Sequence, residues 1–271
     1  AWRVETDRGP IAARTVVVAT GMDHTPVLPD WPGRGSFAGE LIHSAEFRNP
    51  GPYRGRDVLV VGAGNSACEI ADLLARGGAG RVRLAVRTPP LILPRRLLGI
   101  SITAFVIPGT FMPDGLLDRA SRAVQRVWFG DLTPYGLPPS PRGVSAQRRE
   151  GYVAPVDSGF VDSVKRGRVE VVEGVERLDG TEVGLAGGRR VRPDAVIAAT
   201  GYRTGLAQLV GHLCVLRADD ERPLAHGGAS PPGAPGLHFI GFHHKLAPTL
   251  PHVSSEARGI GAAVASSRSS A

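Results

Sequence analysis

The sequence predicts an α/β fold, and three observations carry the prediction. An unbroken apolar run, Val58 to Val61, has the character of a strand buried on both faces of a parallel sheet. A glycine-rich turn follows it at once and opens onto a segment of helical period, with another apolar strand beyond. Finally, Ala-Thr-Gly closes an apolar strand twice, in TVVVATGMD (15 to 23) and AVIAATGYR (195 to 203).

In chain order, WRVET (2 to 6) alternates apolar and polar residues and turns at DRG, and ARTVVVATG (13 to 21) reads as a core strand. Prolines 26, 29 and 32 with Gly33 and Gly35 mark a loop, and 36 to 53 reads as a short structured linker. Residues 57 to 87 spell strand, turn, helix, strand. Ala67, Ile70, Ala71 and Leu74 share one helical face, and Gly77 and Gly78 end the helix. The stretch from 88 to 160 is proline-rich, with one helix from about Leu116 to Val127; its 100 to 160 portion is expected to shape the substrate side. Strands are expected at 168 to 172, 191 to 199 and 237 to 242, turns at Gly180, Gly184, Gly187 and Gly188, a helix from Ser254 to Ala265, and a frayed SSRSSA end.

Composition narrows the function classes. The chain has 271 residues, enough for one large domain or two small ones, and 42% hydrophobic and 21% charged residues are ordinary for a globular protein. A net charge of +7 favours phosphate-bearing ligands, but no Lys/Arg run alternates with aromatics, which argues against nucleic acid. The two cysteines, Cys68 and Cys214, form no CxxC. They argue against a disulfide framework, a metal site and a dithiol centre, and fit a reducing cytoplasm. The start, AWRVETDRG, has no apolar signal core, and the apolar-leaning run 97 to 107 is too short to span a bilayer and meets Pro108, so a cytoplasmic protein without a membrane partner is expected.

The chemistry-bearing motif is Gly62-Ala63-Gly64-Asn65-Ser66-Ala67. Gly62 permits the tight turn, Gly64 lets backbone approach a pyrophosphate, and Ala67 lets the helix pack close to the strand. The first amides of the helix then face the phosphates. At the end of the second strand, where an acid would hold the ribose hydroxyls of NAD or FAD, stands Arg87, with Arg83 upstream. A guanidinium there suits the 2′-phosphate of NADPH. Arg95 and Arg96 offer two further cations that are either phosphate contacts or solvated surface.

At these residues the sequence resembles the flavin-containing monooxygenases. FAGELIHSAEF, with Phe37, Gly39, His43 and Phe47, resembles the family's F-x-G-x-x-x-H-x-x-x-F/Y motif, and the segment through VLVVGAGNSACEIA resembles its second glycine motif. GDLTPYGLPP (130 to 139) is similar to a segment of the bacterial and plant branch, which includes the auxin-forming enzymes. DAVIAATGY (194 to 202) resembles the late Ala-Thr-Gly motif, with Ala198 where N-hydroxylating relatives carry Leu or Phe. Baeyer–Villiger relatives typically carry Trp-Pro at Phe47-Arg48, which lowers that reading. The resemblance runs from about residue 2 to about 265.

The resemblance implies a two-dinucleotide-binding-domain flavoprotein fold: a three-layer Rossmann-like NADPH domain (54–200) and an incomplete FAD domain made of 1–53, with the linker, and the return segment 201–271. It implies FAD and NADPH as cofactors and O2 and a small organic molecule as substrates, one oxygen atom being transferred through a C4a-hydroperoxyflavin. His43 would help place the NADP site against the flavin, without a proton-transfer role. Thr20 and Gly21, Thr200 and Gly201, and Gly241 would line the cofactors at strand ends, beside Gly62, Gly64, Asn65, Ser66, Ala67 and Arg87. The flavin carries the chemistry, so no side chain is assigned as catalytic. No first G-x-G-x-x-G precedes residue 62, and the expectation is an N-terminally truncated enzyme lacking about 100 residues or more. The alternatives are a non-catalytic NADPH-binding remnant, an NADPH-flavin oxidase and a Baeyer–Villiger-type enzyme. Disulfide reductases are disfavoured, because they need a cysteine pair.

Overall fold

The structure, a computed structural model, describes every residue outside 106–108, 110, 147–152, 220, 243–248 and 270–271, and leaves the side chains of 249–251 and 268–269 undescribed. The end of the apolar run 97–107 and Pro108 lie outside the described residues. The chain divides into two compact units, 26–201 and the paired segments 1–25 and 202–271.

The unit 26–201 is built on a five-stranded parallel sheet. Its strands run, across the sheet, Glu170–Glu173, Arg81–Val86, Asp57–Val61, Ala195–Ala198 and Glu40–His43. Side chains alternate across a strand, so each apolar run feeds two cores. Val58 and Val60 face one side with Val82, Leu84 and Ile197. Leu59 and Val61 face the other with Ala85, Val196 and Ala198. The first face is covered by the helix Asn65–Arg76, whose Ala67, Ile70, Ala71 and Leu74 are buried as the periodicity predicts, and by Phe160, Val161 and Val164 of the helix Phe160–Lys165. The second face is covered by an antiparallel meander, Val175–Asp179, Glu182–Leu185 and Arg190–Val191. Gly180, at φ 56, makes its first turn. Three layers result: helices, parallel sheet, meander. Each fully buried Val or Leu stabilises the stack by roughly 1.5–3 kcal/mol.

Single helix boundaries differ from expectation by a few residues. The proline-rich stretch holds a helix Asp114–Phe129, two residues longer at each end than expected. The tail helix runs Thr249–Ser269 and takes in much of the end expected to fray.

In the unit of 1–25 and 202–271, Val16–Val18 pairs in parallel with Leu237–Phe239, and Trp2–Val4 pairs antiparallel with Ile11–Ala13. Val18, Leu206, Val210, Val215, Leu237, Phe239 and Phe242 form its core. Trp2 lies against it and donates its indole N–H to the Pro235 carbonyl at 3.0 Å. The two Ala-Thr-Gly copies therefore lie in different units, the first after Val16–Val18 and the second after Ala195–Ala198. They share backbone geometry, with Gly21 at φ 79 and Gly201 at φ 88.

The compact unit around the glycine turn runs from Pro26 to Gly201 and so takes in the segment 36 to 53. Glu40–His43 is the edge strand of the parallel sheet, in register with Ala195–Ala198. Phe37 packs on the meander side of the sheet and Phe47 on the helix side.

Candidate nucleotide-binding site

The chain leaves the strand Asp57–Val61 at its carboxyl end and enters the helix Asn65–Arg76 through Gly62-Ala63-Gly64. Successive strands after this one add on one side, Arg81–Val86 and then Glu170–Glu173, whereas Ala195–Ala198 lies on the other. The strand order therefore reverses at Asp57–Val61, and the crevice at the carboxyl ends of Val61 and Ala198 is the place where parallel sheets bind ligands.

The glycines of the turn answer to different demands. Gly62 has φ +141, and a Cβ there would stand 2.3 Å from the Ala199 carbonyl oxygen and 3.3 Å from Ala67 Cβ. It is glycine because the helix and the neighbouring strand close on it. Gly64 is the residue before the helix, at φ −91 and ψ −175. A Cβ there meets nothing within 4 Å, so no protein atom demands glycine. Empty space over a turn at a helix start is what a bound pyrophosphate requires. No side chain caps this helix, and no acid sits in its first turn. Its leading amides and the positive end of its dipole are left for an anion.

The side chains of the motif divide by role. Ala67 is fully buried under the helix, and Ser66 is exposed on the first turn. Asn65 Oδ1 accepts the Val156 amide at 2.9 Å, so the carbonyl end of this side chain ties the turn to Val156–Asp157, which pairs in turn with Leu93–Pro94. The sequence reading had Asn65 as a cofactor contact and missed this tether; its partner is 91 residues away. Arg87 is exposed directly after Arg81–Val86, with its backbone packed against Gly174. Arg95 and Arg96 are exposed as well.

Arg83 is a different case. It is buried, with Nη1 2.6 Å from Asp57 Oδ1 and Nε 3.3 Å from Glu170 Oε2. Asp57 opens its strand, at the end opposite the glycine turn. Arg83 is thus a structural ion pair at the amino end of the sheet and has no access to the phosphates. Glu170 is shared with Arg189. Burial raises its pKa, but the two guanidiniums outweigh burial and hold it below the usual carboxylate range.

His43 ends the edge strand with 1% exposure. Its Nδ1 accepts the Ala45 amide at 3.1 Å, so the proton sits on Nε2, which donates to the Gly201 carbonyl at 3.1 Å. Burial lowers its pKa, only partly opposed by the Gly201 bond and the Glu46 charge, so the ring is held neutral. The Gly201 carbonyl also accepts Val27 N at 3.0 Å, and Thr200 Oγ1 donates to the Val27 carbonyl. Thr200 and Gly201 are accordingly occupied within the protein. Gly39 belongs to the same construction, because a Cβ there would meet the Phe37 ring at 2.6 Å.

Thr20 and Gly21 stand at the end of Val16–Val18 in the other unit. Thr20 is exposed, and a Cβ on Gly21 meets nothing within 4 Å. Gly241, at φ 84, donates its amide to Glu256 Oε2 at 2.8 Å and does not offer it to a ligand. In that unit the strand Tyr202–Arg203 runs through Gly205 into the helix Leu206–Val210, but strand and helix hold two and five residues and the turn between them carries a single glycine. The residues around Gly62 fit a nicotinamide dinucleotide; among the described residues of the 1–25 and 202–271 unit there is no turn with two glycines at a helix start like the one at Gly62 and Gly64.

Comparison with known proteins agrees with this geometry. Residues 1–96 match the family model described as pyridine nucleotide-disulphide oxidoreductase. Indole-3-pyruvate monooxygenase YUCCA1 of Oryza sativa subsp. japonica is 32% identical over 248 residues, covering 89% of this chain and 60% of that protein. Indole-3-pyruvate monooxygenase YUCCA6 of Arabidopsis thaliana is 32% identical over 251 residues, with the same 89% and 60% coverage. The chain belongs to the flavin-containing monooxygenase family. It spans about 60% of the length of the curated relatives it matches. The family's fold is seen in two solved structures: a flavin-containing monooxygenase from Stenotrophomonas maltophilia (TM-score 0.60, 20% identity, 96% of this chain and 66% of that one) and cyclohexanone monooxygenase in its open form (TM-score 0.68, 19%, 97% and 65%). Both cysteines are free: Cys68 is buried, its thiol pushed up to about 12 by burial, and Cys214 is exposed.

Proposed function

We propose that this chain supplies the NADPH-binding unit of an FAD- and NADPH-dependent monooxygenase, which transfers one atom of O2 to a small organic substrate. The observation that carries the reading is the pairing of an uncapped helix start, over an open Gly64, with Arg87 at the tip of the next strand. NADPH supplies the reducing equivalents and flavin the oxygen chemistry when bound. The protein's part is to bind and orient. The amides following Gly64 hold the pyrophosphate, and Ser66 stands ready to donate to it. Arg87 would neutralise the 2′-phosphate, a task that suits its planar, forked guanidinium. Neutral His43 fixes the loop after the edge strand to Gly201, so its task is positioning. The names of the relatives support a 2-oxo acid bearing an aryl group as the first substrate to try.

The test is isotopic. The chain is incubated with FAD, NADPH, ¹⁸O2 and either an aryl pyruvate or a thioether. One ¹⁸O atom in the product supports the reading. NADPH consumed with all oxygen recovered as peroxide would make it an oxidase. Saturable NADPH binding with no O2 uptake would keep the nucleotide-binding part of the reading and assign no oxygen transfer to this chain by itself; no saturable NADPH binding would overturn it.

A further inference from the structure

The helix Asp114–Phe129 carries a pattern that the nucleotide site does not use. Its inner side is pinned to the protein. Gln125 Oε1 accepts the Ile92 amide at 2.7 Å, and Asp118 accepts both the amide and the hydroxyl of Ser145, at 2.8 and 2.7 Å. Ser121 and Phe129 are buried, and Lys165 Nζ donates to the Phe129 carbonyl at 2.6 Å, closing the last turn. The outer side is therefore presented on a fixed rod about 24 Å long.

That outer side is apolar where a surface helix should be polar. Leu116, Ala120, Ala123 and Val127 are spaced four, three and four residues apart and form one stripe facing solvent. Leu116 is 55% exposed and Val127 86%, with Trp128 beside it at 48%. Arg119, Arg122 and Arg126 run along one flank, all exposed. The helix carries two acids, Asp114 in its first turn and Asp118, which is bonded to Ser145. Asp131, just past the helix, accepts the Thr133 amide at 3.0 Å. An apolar stripe of this kind bordered by arginines is the pattern of a helix that lies in the plane of an anionic lipid interface. An antiparallel two-fold pairing with a second copy would bring the arginine rows together, like against like, and is disfavoured by that charge. Among the described residues no helix is long and apolar enough to cross a membrane.

We propose that the outer face of the helix Asp114–Phe129 docks the protein reversibly on an anionic membrane surface, the stripe Leu116–Val127 entering the headgroup region and the three arginines pairing with lipid phosphates. The inference is independent of the nucleotide reading.

The test is flotation of the purified chain with vesicles of 30 mol% phosphatidylglycerol in phosphatidylcholine, against pure phosphatidylcholine. The proposal expects flotation with the anionic vesicles only, lost in 0.5 M NaCl. It expects partitioning to fall at least about tenfold in Val127→Asp, in Leu116→Asp and in the triple Arg119→Ser, Arg122→Ser, Arg126→Ser variant. These side chains are exposed, so folding is checked by circular dichroism, and Arg190→Ser with Arg192→Ser serves as a charge control that should float as wild type. A chain that stays in solution overturns the proposal. So does flotation unchanged by the stripe variants, which would reflect overall charge, or a dimer that Val127→Asp dissociates, which would make this face an interface between copies.

Discussion

His43 Nε2 donates to the carbonyl oxygen of Gly201 at 3.1 Å, across 158 residues of sequence. The bond closes the edge strand of the sheet onto the Ala-Thr-Gly turn that ends its neighbour. The geometry needs a neutral ring, because Nδ1 is already an acceptor. A histidine whose folded pKa is lowered costs stability when it protonates. Above about pH 6.5 it is neutral in both states and the fold keeps its full stability; as pH falls below that value the unfolded chain gains protons first and stability declines. Denaturant titrations between pH 5 and 7.5 should show this loss. His43→Gln, which does not titrate, should flatten the curve over that window. Glu170 and Glu182, both held low by arginines, act in a separate window below about pH 4.5.

Gly62 and Gly64 should respond in opposite ways to alanine. Gly62→Ala places a methyl 2.3 Å from a backbone oxygen at φ +141, and should cost about 3 kcal/mol or more in urea titrations. Gly64→Ala meets open space and ordinary φ, so its cost is confined to a poorer helix cap, about 1 kcal/mol. Its NADPH affinity should nonetheless fall at least about tenfold, because the methyl occupies the room of the pyrophosphate. Equal affinity in Gly64→Ala would remove the phosphate from this turn.

Arg83 should matter for stability and not for nucleotide. Arg83→Met strips Asp57 of its buried partner. Loss of one member of a fully buried pair costs about 3–5 kcal/mol. Asp57 is 25% and Glu170 42% exposed, so about 2 kcal/mol is expected here. NADPH affinity should stay within about twofold, since the pair sits at the far end of the sheet from the turn.

The order of strand, turn, helix and strand from 57 to 87 was legible because each element is local: apolar runs, a helical face, and glycines at the breaks. What was not legible rests on distant partners. ELIH, 40 to 43, is too short and too mixed to read as a strand, and becomes one by pairing with Ala195–Ala198. The role of Arg83, just upstream of Arg87, has no sequence signal, because Asp57 and Glu170 flank it only through adjacent strands. Of the candidate site, the tight turn at Gly62 and the close packing of Ala67 were readable from the motif. Asn65, Thr200 and Gly201 carry internal bonds that no spacing announces, and Gly241 has its amide turned to Glu256.

The central claim is that the turn at Gly62–Ala67 binds NADPH, with Arg87 reading the 2′-phosphate. The most direct measurement is a fluorescence titration of the chain with NADPH and with NADH, repeated on Arg87→Ser. Wild type should bind NADPH at least about tenfold more tightly than NADH, and Arg87→Ser should lose that preference while keeping its affinity for NADH. Equal binding of the two nucleotides by wild type, or an unchanged preference in Arg87→Ser, would contradict the account.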